Sequence, residues 1–100
     1  MTPQELNVAM RTFLGGDEDA GYDPLGGEDR LKVKYGERWE EMRALLGEYL
    51  KTVAEIPVDW KKENLSAATA RVVGMIQNQY PWFDDRVRRK MANYFAYQWR

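Results

Sequence analysis

The side chains best suited to proton transfer and nucleophilic attack are missing from this chain, which contains no histidine, no cysteine and a single serine, Ser66. Histidine titrates near neutrality and cysteine supplies the thiolate nucleophile, so acid–base or covalent chemistry would fall to carboxylates, lysines and tyrosines. Ser66 stands at a helix start, where capping accounts for it. The carboxylates fall on outward helix faces or in a loop, positions that do nothing to drive an acid and a base apart in pKa. Gly15-Gly16 and Gly26-Gly27 lack the further residues of a phosphate-cradling or dinucleotide-binding loop. The residue inventory therefore reads as a non-enzyme that needs no cofactor.

Without cysteine there is no disulfide framework and no thiolate zinc site. Residues 15–29 (GGDEDAGYDPLGGED) hold five glycines, one proline and six acidic residues. Asp17, Asp19, Gly21, Asp23 and Glu28 fall at positions 1, 3, 5, 7 and 12 of a calcium loop, but the sixth position, which needs glycine, is Tyr22. Asp23-Pro24 further disturbs the backbone path. The segment reads as a charged connecting loop, and no metal is expected in it.

The last twenty-one positions hold seven of the thirteen aromatic residues: Tyr80, Trp82, Phe83, Tyr94, Phe95, Tyr97 and Trp99. They interleave with Arg86, Arg88, Arg89 and Lys90. On a helical wheel Arg86, Arg89, Lys90, Asn93, Tyr97 and Arg100 share about a third of the circumference, opposite the apolar stripe. Such a strip can neutralise phosphates and stack a base, or it can dock on a protein, because Trp, Tyr and Arg dominate interface hot spots. It can also be a solvated face, or pair with acidic residues elsewhere in the chain. The pI of about 5.5 lacks the basic excess usual in nucleic-acid-binding domains. Trp82 and Phe83 lie between Pro81 and Asp84, in a tight turn where large aromatics either set the entry angle of the next helix or stand out as anchors.

Several amphipathic elements must position these residues. Thr2 caps a first helix over residues 3–14, with Leu6, Met10, Phe13 and Leu14 inward. A second helix runs over 30–56, where Trp39, Met42, Leu46, Tyr49, Leu50, Val53 and Ile56 keep to one arc and Glu37, Glu40, Glu41, Glu48 and Glu55 to the other. Leu31 to Tyr35 alternates like a strand, but Leu31, Tyr35 and Trp39 also recur at helical spacing, and helix is the preferred reading, with Gly36 a weak point. Asn64 or Ser66 caps a third helix over 65–80, with Leu65, Thr69, Val72, Val73, Ile76 and Tyr80 inward. Asp84 caps a fourth over 84–99, with Val87, Met91, Tyr94, Phe95 and Trp99 inward. Four amphipathic stripes joined mostly by short connections predict one all-α domain over residues 1–100, a small bundle of about four helices.

An apolar content of 44% excludes wholesale disorder. No apolar run approaches the ~18 residues that span a bilayer, and no secretory leader is visible, so the expected location is the cytoplasm, with no membrane partner. Residues 1–56 carry seven basic and twelve acidic side chains, a net of −5, and residues 57–100 carry eight and four, a net of +4. The reading that joins these features is a non-catalytic protein-binding module: a small stoichiometric inhibitor or adaptor, of the class of antitoxins, immunity proteins and phage anti-defence proteins such as anti-CRISPRs. Its partner is a protein, alone or within a nucleoprotein complex, and the contacts are Trp82, Phe83, Arg86, Arg89, Lys90, Asn93, Tyr97 and Arg100. The alternatives are direct nucleic-acid binding by the basic strip and a homodimer joining the acidic and basic faces.

Overall fold

A computed structural model describes residues 2–15, 22–23 and 25–99. Five α-helices follow one another: α1 (Pro3–Leu14), α2 (Gly27–Tyr35), α3 (Trp39–Ala54), α4 (Leu65–Gln79) and α5 (Asp85–Gln98), with one 3-10 turn at Gly36–Arg38. There is no strand among the described residues, and the all-α class expected from the apolar periodicities holds.

The predicted second helix is divided. Gly36 adopts φ 56°, ψ −126° and ends α2, a backbone conformation that residues with a Cβ rarely take. The segment 31–35 is helical, as preferred, but the long helix begins afresh at Trp39. The break lets α2 turn back and pack against both α1 and α3. Helix α2 also starts earlier than expected, at Gly27, inside the segment read as loop. A Cβ at Gly27 would lie 2.7 Å from the Phe13 carbonyl oxygen, so only glycine permits this approach of α2 to the end of α1.

The helix starts follow the capping chemistry. Thr2 Oγ1 accepts from the Glu5 N–H at 3.1 Å, Asn64 Oδ1 from Ala67 at 2.9 Å, and Asp84 Oδ1 from Val87 at 2.8 Å. Between the two candidates for the third cap, the structure selects Asn64, leaving Ser66 exposed in the first turn.

Helix α5 is the centre of the molecule, packing against α1, α3 and α4. Val87, Met91, Ala92 and Phe95 are buried along it and meet Leu6, Met10 and Leu14 of α1, Met42, Leu46, Leu50 and Val53 of α3, and Ala68, Val72 and Ile76 of α4 in one core. Helix α4 lies at the periphery, with extensive packing only against α5. The described chain is correspondingly elongated, 45 × 26 × 23 Å.

Candidate interaction surface

The turn between α4 and α5 is built from both sides. Asn7, buried on α1, donates from Nδ2 to the Pro3 and Trp82 carbonyls at 2.8 and 2.7 Å, and its Oδ1 accepts from the Asp84 N–H at 2.7 Å. Arg88 donates to the Phe83 carbonyl at 2.5 Å. Two successive carbonyls of the turn are thereby held by two side chains, fixing where Trp82 and Phe83 point.

They point differently. Phe83 is 1% exposed and packs edge-to-face on Tyr49 at 5.3 Å between ring centres, so it is a core residue rather than a partner anchor. Trp82 keeps 38% of its surface exposed, resting against Tyr49 and Tyr80 at 6.4 and 5.6 Å. The staple expected at this turn takes another form: the residue four positions into α5 is Arg88, which reaches back through a hydrogen bond instead of an apolar contact.

Arg86, Arg89, Asn93 and Tyr97 are exposed, at spacings that hold them within about 80° of arc on α5. Lys90 does not belong with them. It is fully buried and leaves the candidate surface, because the wheel ranks directions on one helix but cannot show what another part of the chain lays over it. Arg100 lies outside the described residues. Trp99, expected inward, is 43% exposed at the end of α5.

The strip is less strongly basic than its sequence. Arg89 pairs with Asp85 at 2.9 Å, one turn back on α5, and Arg88 lies 3.6 Å from the same carboxylate. The pairing described for α5 is therefore local, within its own first turns. Near the other end of the strip, Tyr22 packs edge-to-face on Tyr94 and Tyr97 at 5.4 and 5.5 Å. Partial burial foremost, then the neighbouring Tyr94, Tyr97 and Asp23, raises the Tyr22 pKa above the ordinary tyrosine value, with Arg30 opposing.

Tyr22 is placed by Arg30, which sequence reasoning did not single out. The Arg30 guanidinium donates to the Thr12 and Phe13 carbonyls at the end of α1, at 2.7 and 2.9 Å, and to the Leu25 carbonyl at 2.9 Å. It also lies 3.5 Å from the Asp23 carboxylate, while the Asp23 N–H donates to the Leu14 carbonyl at 2.8 Å. One cation thus satisfies the carbonyl end of α1 and returns the chain toward α2.

A cleft of about 720 Å³ opens beside this clamp, lined by Phe13, Tyr22, Tyr94, the first turn of α2, and Arg43 and Lys51 of α3. Arg43 stacks over Phe13 at 4.8 Å, and Lys32, also on the lining, lies 4.6 Å from Trp39. Glu28, Asp29 and Glu55 interleave with these cations, so the cleft has no single sign of charge to select a ligand. Of the calcium-loop pattern, Asp17, Asp19 and Gly21 lie outside the described residues, and no group of three potential metal ligands occurs among the described ones. No helix among the described residues is long and apolar enough to cross a membrane. No family model matches the chain, and neither a curated protein nor a solved structure does.

Proposed function

We propose that this protein is a docking module that acts by occupying a surface of a protein partner, as a stoichiometric inhibitor or an adaptor. The contact residues are Trp82, Arg86, Arg89, Asn93 and Tyr97. The observation that supports this reading is that α5, although packed against three helices, keeps one narrow face outward, and that face carries two arginines and a tyrosine, with Trp82 half-exposed at its entrance. Tyrosine, tryptophan and arginine are the residues that concentrate binding energy at interfaces. Trp82 and Tyr97 would supply buried anchors. The arginines would steer the encounter and orient it, the pairing of Arg89 with Asp85 being exposed and therefore cheap to exchange.

An inhibitor or adaptor of the antitoxin, immunity-protein or anti-CRISPR kind needs no catalytic group, which agrees with a chain without histidine or cysteine. The test is capture of partners from nuclease-treated host lysate by the wild-type protein, with Trp82→Ala/Arg89→Glu in parallel. A protein retained stoichiometrically by the wild type, lost with the variant and then bound directly in purified form would carry the reading. Retention only of nucleic acid, weakening steeply with salt, would replace it by phosphate binding.

A further inference from the structure

A second cleft, of about 580 Å³, lies between the first turns of α1 and the junction of α2 with α3, and none of its described lining comes from α4 or α5. Its apolar lining includes Met42, 2% exposed, and half-buried Val8. A hollow of this size, with an apolar lining and a few convergent polar groups, is the usual form of a small-molecule site.

The charges around it are sorted by element. Lys34 and Arg38 stand on the side of the α2–α3 junction and Glu5 on α1, so two cations face one carboxylate. The larger cleft beside Arg30, where both signs interleave, has no such separation. Lys34 makes no ion pair with a described residue, and Arg38 approaches Glu41 at 3.7 Å with both side chains mostly exposed, a contact of little strength. Tyr35, half-buried in the same lining, lies under the influence of Glu5 and Arg38 together. Partial burial foremost, then Glu5, raises its pKa above the ordinary tyrosine value, with Arg38 opposing, so the phenol keeps its proton at neutral pH. That hydroxyl has no hydrogen-bond partner among the described residues, and a tyrosine with its ring packed and its O–H unused is a donor for whatever enters the cleft.

We infer that this cleft binds a small organic acid, with its anionic group at Lys34, Arg38 and the Tyr35 hydroxyl and its apolar body over Met42 and Val8. The donor set chooses the ligand. An ammonium, a guanidinium and a phenol O–H all donate, and a carboxylate or similar oxyanion only accepts, through short charge-assisted bonds. Glu5 on the other wall repels the same anion and so fixes which way round the ligand lies, and a cationic ligand would meet two like charges for one opposite.

Naphthoate, a flat apolar body with one carboxylate, is the probe, and naphthylmethylammonium, the same rings with the opposite charge, is its counterpart. Titration of the full chain, followed by calorimetry and by amide chemical shifts, should show naphthoate binding with shifts centred on residues 5–8 and 34–42, and the ammonium at least about tenfold weaker. Arg38→Gln should weaken naphthoate about threefold or more and Tyr35→Phe should also weaken it, whereas Glu5→Gln should tighten it by removing the repelling carboxylate. Glu5 and Arg38 are exposed, and glutamine suits the third position of the capped helix α1, so the helical circular dichroism of these variants should match the wild type. Absence of naphthoate binding, equal affinity for the two probes, or an affinity indifferent to Arg38→Gln would overturn the inference. Shifts centred on the exposed indoles of Trp60, Trp82 and Trp99 instead of the cleft would do the same. Trp82→Ala, which removes a docking contact, should leave naphthoate affinity unchanged, so the cleft and the docking face of α5 stand or fall separately.

Discussion

Of the three hydrogen bonds on the buried Asn7 side chain, two join residues 75 and 77 positions apart. Its amide is one donor–acceptor pair that no apolar side chain replaces, and removing it strands the Asp84 N–H and the Trp82 carbonyl. Asn7→Ala should cost about 2–4 kcal/mol in urea denaturation, and Asn7→Leu no less. Tyr22 provides a pH-dependent counterpart. Its pKa is raised in the folded state, so its contribution is present below the unfolded value near about 10 and is lost as pH rises through the folded value. Denaturation between neutral pH and about pH 11 should show a steeper alkaline loss in the wild type than in Tyr22→Phe, which keeps the ring contacts but has no phenol to ionise. Equal slopes would mean that ionisation of Tyr22 does not contribute to the alkaline loss of stability. The apolar stripes, the caps and the breaking power of Gly36 are all legible residue by residue. The roles of Asn7 and Arg30 are not, because an asparagine or arginine in an amphipathic helix looks like any polar position until the chain it reaches is in place.

Helix boundaries respond to single residues where backbone conformation is at stake. Gly36→Ala should destabilise the protein by about 1 kcal/mol, since alanine must take a positive φ although no atom obstructs its Cβ. A stabilising Gly36→Ala in thermal denaturation would mean that α2 and α3 can merge into the continuous helix that periodicity alone suggests. Arg30→Met, which keeps the stem but removes the donors, should release the carbonyl end of α1 and speed amide exchange in residues 11–15 and at Asp23 and Leu25 ahead of the rest of the described chain. The division at Gly36 matters beyond its length: with it, α2 packs on both α1 and α3, and Arg30 reaches the Thr12 and Phe13 carbonyls at the end of α1.

Across the whole molecule, the position of a side chain relative to α5 sets its energetic weight. Phe83→Ala and Phe95→Ala should each cost about 3–5 kcal/mol, the usual range for emptying an aromatic site in a core. Trp60→Phe and Trp99→Phe should stay within about 1 kcal/mol, because both indoles are near half-exposed. Chemical denaturation of the four variants separates the two groups, and a costly Trp99→Phe would show the sequence's inward assignment to be energetically right after all. Among the described residues, the charge split between the halves of the chain is partly met within one half. Described pairs such as Arg89–Asp85 and Arg71–Glu63 form within the C-terminal half itself.

The sequence alone determined the class and the local grammar: apolar residues at helical spacing make helices, Thr2, Asn64 and Asp84 start them, and a chain without histidine or cysteine narrows its chemistry. These properties act over three or four residues, so neighbours in sequence carry them. Tertiary structure decided which of two adjacent aromatics is core and which is surface, why Lys90 is buried beside exposed Arg89, and why Trp99 faces water. Those outcomes depend on what approaches from elsewhere in the chain, because a helical wheel orders directions around one axis while burial is set by the other elements packed along it.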